Sequence, residues 1–312
     1  MTSLTYASIC SGGELAGVGA RLAGLEDVWG VEIERRIADI AMLNGFAVLN
    51  TNVLNVDPSV LESPFLLHAS LPCPNFSPAK NAGAVESSVD MLLARKCAEF
   101  LRVMRPPAFA LENVCQYVNS QSFKIVTDAL TELGYGWCHD CLDAADFGVP
   151  QSRKRLIMRA LRDGDPPELK STLPRRGWFE AIEDLFHTMP EDTIPPYQFM
   201  RLPLELQAQL LAKNVTTPVL LWGWRGGSAN AEVRWPHQPS KTVTAKTQVM
   251  SAARVCMGDR VMQLTPRALA RLQSVPDSYQ LSGVAIWDVA VVGNGCPSLL
   301  MKQVYETLIH GT

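Results

Sequence analysis

Cys73 lies between Pro72 and Pro74 in LPCPNFSP, directly after the apolar run Phe65–Leu71. Two prolines fix φ on either side, restrict the residue before each and remove two amide donors. Such rigidity aims one side chain, which suits a thiol nucleophile; a buried structural cysteine is the other reading. ALENV ends a second apolar run with Glu112 and Asn113, and an acid there is costly to bury unless it has a partner or a task. In PQSRKR, Gln151, Arg153 and Arg155 alternate, so an extended strand projects them from one face. Two guanidiniums side by side call for a phosphate, a base carbonyl or Glu112 between them, unless the run is a solvated edge.

Two further positions suit a nucleotide-like ligand. The loop SICSGGELAGVG leads from an apolar run into a helical pattern. Its Gly12 and Gly13 either let a backbone approach the ligand, with free amides at the helix start, or serve only a tight turn. Glu32 closes the next run, where a carboxylate either accepts both hydroxyls of a ribose or is a solvated surface acid.

All of these residues fall at the ends of predicted strands. Strand candidates are Leu4–Cys10, Val28–Ile33, Phe65–Leu71, Phe109–Val114 and Gly136–Leu142, alternating with helical patterns at Leu15–Ala23, Arg35–Leu43, Asp90–Met104 and Phe123–Leu133. That alternation predicts a doubly wound α/β sheet, in which the loops after Cys10, Ile33, Leu71 and Val114 converge on one edge. After the strand-like Arg155–Ala160 the chain becomes rich in Pro and Gly, which predicts a second, small irregular lobe. The expected division is 1–162, completed by 283–312, against 163–282. Within the irregular stretch Leu202–Leu211 reads as a packing helix, and Trp178, Trp222, Trp224 and Trp235 read as core rather than as base-stacking platforms. Regular structure resumes in a helix at Pro266–Gln273 and a last one from about Pro297 to Ile309.

Composition narrows the class. A chain of 312 residues with 47% hydrophobic and 19% charged side chains buries a full core, which excludes disorder and fibre. The formal net charge of −3 gives no whole-protein attraction to nucleic acid, so such binding needs a local patch. One occurs where the first lobe passes into the second along the chain: Arg153, Lys154, Arg155, Arg159, Arg162, Lys170, Arg175 and Arg176 outnumber Asp163, Asp165 and Glu168. Eight cysteines in scattered apolar contexts fit reduced thiols in a cytoplasm better than a disulfide framework. No membrane span, secretory signal or metal is expected.

Taken in order, the motifs resemble the DNA cytosine-5 methyltransferase family. Pro72-Cys73 within PCPNFS, Glu112-Asn113-Val114 and Gln151-Ser-Arg153-Lys-Arg155 are similar to its catalytic motifs, and KTVTA (Lys241–Ala245), LTPRALARLQSVPDSY (Leu264–Tyr279) and GNGCP (Gly293–Pro297) to its later ones. The resemblance covers almost the whole chain. It implies a Rossmann-like S-adenosylmethionine-dependent methyltransferase domain with a small target-recognition domain. It also implies double-stranded DNA as substrate, a monomer, and a possible restriction endonuclease partner.

For the site, the resemblance implies that Cys73 attacks C6 of a flipped-out cytosine, that C5 takes the methyl group, and that S-adenosylhomocysteine is released. Glu112 would hydrogen-bond N3 and the exocyclic amine. Arg155, and with it Arg153, would contact O2 or hold Cys73 and Glu112 in place. The cofactor would lie over Cys10, Gly12 and Gly13, with Glu32 on the ribose and Ile33 against the adenine, and Asn52, Val53, Pro72, Leu92, Asn294 and Cys296 completing the pocket. Ser77 and Lys80, in a segment Ser77–Asp90 that resembles the family's lid, would meet DNA with Arg175, Arg176 and Thr242. Arg225, with Asn230 and Arg234, would read bases. The chain departs from the family pattern at Cys10, where Phe is usual, at Glu14-Leu15, where a Gly-Gly is usual, at Asn52, which replaces an Asp, and at Leu71, where Phe is common. The alternatives are the RNA-methylating branch of the family and a catalytically silent module.

Overall fold

Thr5–Ile9 (β1) is buried at every position because it lies in the middle of a seven-stranded sheet. This computed structural model describes residues 4–72, 86–171, 173–222, 232–245 and 253–311. The other strands are β2 (Glu26–Glu32), β3 (Val48–Asn50), β4 (Leu66–Ala69), β5 (Ala108–Asn113), β6 (Gly136–Asp143) and β7 (Lys154–Leu161), in the order β3-β2-β1-β4-β5-β7-β6. β7 runs antiparallel to both β5 and β6, whereas the pairs from β3 to β5 are parallel. The start of β7 therefore lies beside the carboxyl end of β5, which brings Arg155 to the ligand edge that a parallel strand would deny it.

The crossover helices are α1 (Leu15–Leu22), α2 (Arg35–Leu43), α3 (Ser88–Met104) and α4 (Gln121–Glu132). Ser87 and Asp90 form a capping box on α3, which stops at Arg105 just ahead of two prolines. Ala7, Ile9, Leu67, Ala69, Phe109 and Leu111 share one sheet face and pack with Phe100, Leu101, Phe123 and Val126 of α3 and α4. Strict alternation puts Tyr6, Ser8, His68 and Glu112 on the opposite face. There Tyr305 of the last helix, Ser298–His310, lies edge-on to the His68 ring at 5.9 Å. The predicted strands and helices of this unit are present; β3, a three-residue edge strand, is an addition.

The chain divides into two compact units: Met1–Ala144 with Lys154–Thr172 and Gly295–Thr312, and Ala145–Arg153 with Leu173–Asn294. The second is more regular than its composition suggests. It holds a four-stranded antiparallel sheet in the order β11-β10-β8-β9, built from β8 (Val215–Trp222), β9 (Glu232–Arg234), β10 (Ala253–Gly258) and β11 (Arg260–Gln263). The packing helix is Leu204–Leu211, and it buries Leu206 against Val215, Val219 and Leu221. Trp178 is wholly buried, its Nε1 donating to the carbonyl of Arg234 (3.1 Å); Trp222 is buried and Trp235 is half exposed. Trp224 lies outside the described residues.

The expectation of reduced thiols throughout is corrected at one pair. Cys115, in the turn after β5, forms a disulfide with Cys141 on β6, their Cα atoms 5.6 Å apart. A bond closing 26 residues stabilises by about 3 kcal/mol if it acts through the entropy of the unfolded chain. Urea unfolding of the oxidised protein is accordingly expected to shift by that amount on adding reductant, and Cys115→Ser should unfold at the reduced midpoint under both conditions. An unshifted midpoint would mean that the bond contributes nothing.

Candidate active site

Glu112 is 6% exposed at the carboxyl end of β5. A carboxylate so buried needs opposite charge and donors, and both come from the same sheet face. Arg155 Nε lies 2.9 Å from Oε1, and Ser70 Oγ donates to Oε2 at 3.0 Å. Ser70 follows directly on β4, two residues after His68, and its Oγ is 3.5 Å from Cys296 Sγ. Asn113 turns to the other side, where its Nδ2 donates to the carbonyl of Leu71 (3.1 Å). The ends of β4 and β5 are thus tied together just ahead of Pro72 and Cys73. Cys73, Ser77 and Lys80 lie outside the described residues, as do Arg225 and Asn230.

Other thiols are poor rivals for the nucleophile. Burial, reinforced by Glu32, pushes Cys10 up to about 12. Burial does the same to Cys256, also to about 12, and raises Cys97 and Cys138. Each is held as the unreactive thiol at neutral pH.

The carboxyl edge of β1 to β3 gathers the predicted cofactor residues. Glu32 is 8% exposed, so it is not a solvated surface acid. Its Oε2 accepts the Gly12 amide (2.9 Å) and its Oε1 the Glu34 amide (2.7 Å), which latches the opening loop to the end of β2. A carboxylate has further lone pairs for a ribose. Gly12 has a left-handed φ of 56° and open space on its side-chain face, while Ile33 is 66% exposed beside Glu32. Asn52 caps a 3₁₀ turn by accepting the Leu54 amide (3.0 Å), with Val53 buried behind it. Gly13 is buried, and Pro72, three residues past β4, and Leu92, on α3, are exposed. Cys296 is buried in this unit; Asn294 is exposed in the second.

Gln151, Arg153 and Arg155 do not line one strand face, because β7 begins only at Lys154. In the second unit Gln151 bridges to Ser240, and its amide donates to Gln273 Oε1 (2.7 Å) and accepts from Val243 N (2.7 Å). Arg153, 1% exposed, donates to the carbonyls of Val243 (2.8 Å) and Gly293 (3.0 Å). A Cβ on Gly293 would collide with the backbone of Thr244 and Ala245. Four of the sequence motifs meet here: Arg155 pairs with Glu112, while Arg153 donates to two carbonyls of the second unit.

The basic patch is also less free than its count implies. Arg153 and Arg159 are buried, Arg159 on Asp140 (3.0 Å) and the carbonyl of Pro167. Arg175 is exposed but paired with Asp146 (2.5 Å), Arg176 lies 3.5 Å from Glu180, and Thr242 Oγ1 donates to the Ser152 carbonyl (2.8 Å). Such surface pairs are weak.

Composition hid two participants. Ser70 and His68 break an apolar strand at alternate positions, and that alternation is the sequence signal. His68 is 1% exposed with neither ring nitrogen hydrogen-bonded, and burial pushes it down to about 4, opposed by Glu112. It is a neutral spacer at physiological pH. Among the described residues no helix is long and apolar enough to cross a membrane, and no cluster of His, Cys, Asp and Glu suits a metal ion.

The family profile described as C-5 cytosine-specific DNA methylase matches residues 4–310. Type II methyltransferase M1.HphI of Haemophilus parahaemolyticus is 27% identical over 341 residues, covering 98% of this chain and 87% of that one. Type II methyltransferase M.NgoMIV of Neisseria gonorrhoeae is 26% identical over 316 residues, covering 98% and 97%. Among solved structures, a prophage-encoded E. coli protein, classed there as a DNA modification methyltransferase, superposes with a TM-score of 0.72 at 15% identity over 99% of each chain. At that identity the likeness establishes the fold.

The buried pair can be tested by itself. Arg155→Ala leaves Glu112 without its cation and is expected to lower unfolding stability by about 3 kcal/mol at neutral pH, read by urea denaturation. A loss under about 0.5 kcal/mol would be that of a solvated pair and would contradict this description.

Proposed function

The chain belongs to the C-5 cytosine-specific DNA methylase family and is a DNA cytosine-5 methyltransferase; from that premise we propose that Cys73 is its nucleophile, Glu112 and Arg155 its ring-stabilising pair, and S-adenosylmethionine its methyl donor. The observation that carries the assignment is the buried Glu112, matched by Arg155 and Ser70 at the strand end where Asn113 grips the backbone leading to Cys73.

The residues at the carboxyl edge fit the cofactor. Glu32 keeps lone pairs for a ribose, Ile33 and Leu92 are exposed apolar side chains for an adenine, Gly12 opens onto free space, and Asn52, Val53, Gly13, Cys10, Pro72, Asn294 and Cys296 complete the proposed set. When bound, S-adenosylmethionine supplies an electrophilic methyl group. The chain does the rest. With the cytosine turned out of the duplex, the Cys73 thiolate forms a bond to C6 and the C5–C6 π pair becomes available at C5. Glu112, in its protonated form for this step, donates to N3 as charge builds on the ring and accepts from the exocyclic amine through its other oxygen, taking the N3 proton back on elimination, and Arg155 fixes that carboxyl. After C5 is methylated its proton leaves to a base, the C–H pair re-forms the double bond, and the C6–S bond breaks to return the thiolate.

Arg175, Arg176, Thr242, Arg225, Ser77 and Lys80 are the proposed DNA contacts, and the second unit is the proposed target-recognition domain. Relatives called type II methyltransferases support a modification role beside a restriction endonuclease; a monomer working in a cytoplasm is part of the same proposal.

Two outcomes test the assignment. Duplex containing 5-fluorocytosine is expected to trap the wild type covalently, because fluorine cannot leave as a proton, whereas Cys73→Ala traps nothing and transfers no methyl group yet still binds cofactor. Methyl transfer by Cys73→Ala at the wild-type rate would overturn the mechanism. Separately, Glu32→Ala should weaken S-adenosylmethionine by about 1–3 kcal/mol in calorimetry, since it removes hydrogen bonds to a charged group. Unchanged affinity would move the cofactor off this edge.

A further inference from the structure

Glu14 stands where the family pattern has a glycine, and its backbone justifies the glycine rather than the acid: φ is 58°, in the left-handed region, as it is at Cys10 (54°) and Gly12 (56°). A residue with a Cβ is strained there. Its carboxyl also carries a burial cost, because the residue is 2% exposed. The side chain does not cap α1. It runs beneath the opening loop instead, where Ser8 Oγ donates to Oε1 and the Tyr6 hydroxyl lies 3.5 Å from Oε2. Two glycines clear its path. A Cβ on Gly17 would come within 2.5 Å of Oε2, and one on Gly30 would collide with Oε1. The Glu14 amide in turn donates to the Ser11 carbonyl (3.1 Å), closing the turn that presents Gly12 to Glu32.

We propose that Glu14 is a positioning residue for the cofactor: a buried carboxyl wedged under Cys10–Gly13 that sets the loop's path. This rests on the reading that S-adenosylmethionine lies over that loop. The surroundings agree with a neutral acid. From β1 it faces Ser8 and Tyr6, with Tyr305 of the last helix beyond Tyr6. Asp27 on β2 and Arg21 on α1 act on it at longer range and pair with each other at 2.6 Å, so the guanidinium is already matched. Burial pushes Glu14 up to about 8, more than its hydrogen bonds to Ser8 and Tyr6 pull it down. An acid raised in the fold favours the folded loop below pH 8 and loses that preference as pH rises through it.

The test is calorimetric titration of S-adenosylmethionine from pH 6.5 to 9.5 into wild type, Glu14→Gln and Glu14→Ala, with hydrogen exchange of the Gly12 and Gly13 amides in each. The amide of Gln imitates the neutral acid and does not titrate. Glu14→Gln should therefore match wild type at pH 7, and the ratio of wild-type to Gln affinity should fall about tenfold by pH 9. The cofactor's own amine titrates alike in both proteins and cancels in that ratio. Glu14→Ala should bind at least fivefold more weakly at pH 7, with faster exchange at Gly12 and Gly13. A constant ratio across the range, or Glu14→Ala binding and exchanging like wild type, overturns the proposal. If wild type binds no cofactor at any pH, the cofactor reading itself fails, and amide exchange alone then decides whether Glu14 orders the loop.

Discussion

Buried carboxylates set the terms for the rest of this molecule. One face of the large sheet is apolar and needs only packing; the other carries Ser8, His68 and Glu112 under the last helix, with Glu14 and Ser70 at its edge. An acid in such a place must be paired, hydrogen-bonded or protonated. The chain uses all three: Arg155 pairs Glu112, two backbone amides hold Glu32, and burial favours the protonated form of Glu14. Each solution needs a backbone feature to deliver it, namely the reversed strand β7, the tight opening loop, and the glycines that leave Glu14 room.

The reversed strand also explains how one short motif serves two tasks. Gln151 and Arg153 precede β7, and in the second unit they fasten Val243, Gln273 and Gly293 into one network. Arg155 lies inside β7 and faces Glu112. Both arginines are guanidiniums two residues apart, yet one matches a charge and the other satisfies carbonyls, a difference that follows from where the strand begins.

Much of this was legible before any coordinates. Alternating apolar runs and helical patterns marked the strands and crossovers of the first unit, because a parallel sheet covered on both faces writes that pattern into its sequence. Short edge strands such as β3 bury too little to leave such a trace, and β8 to β11 hid among Pro and Gly: β10 and β11 form a tight hairpin, but β10 finds its other partner, β8, only across a long stretch of sequence. Glu112 was conspicuous as an acid ending an apolar strand. Its partner Ser70 was not, since a serine after a strand is commonplace until the neighbouring strand shows what it faces. Glu14 registered only as a departure from pattern; the left-handed backbone and the burial that give it meaning are three-dimensional facts. The Cys115–Cys141 pair was unreadable for the same reason, as spacing alone does not say which strands become neighbours.

The central claim is that this constellation methylates cytosine in DNA. The most direct measurement offers the purified wild-type protein tritiated-methyl S-adenosylmethionine with mixed-sequence duplex DNA and, separately, RNA, followed by base-resolution mapping of 5-methylcytosine. Label is expected on DNA, confined to C5 of cytosines in a recurring sequence context, with none on RNA. Label on RNA alone, or on neither while the protein remains folded, would contradict it.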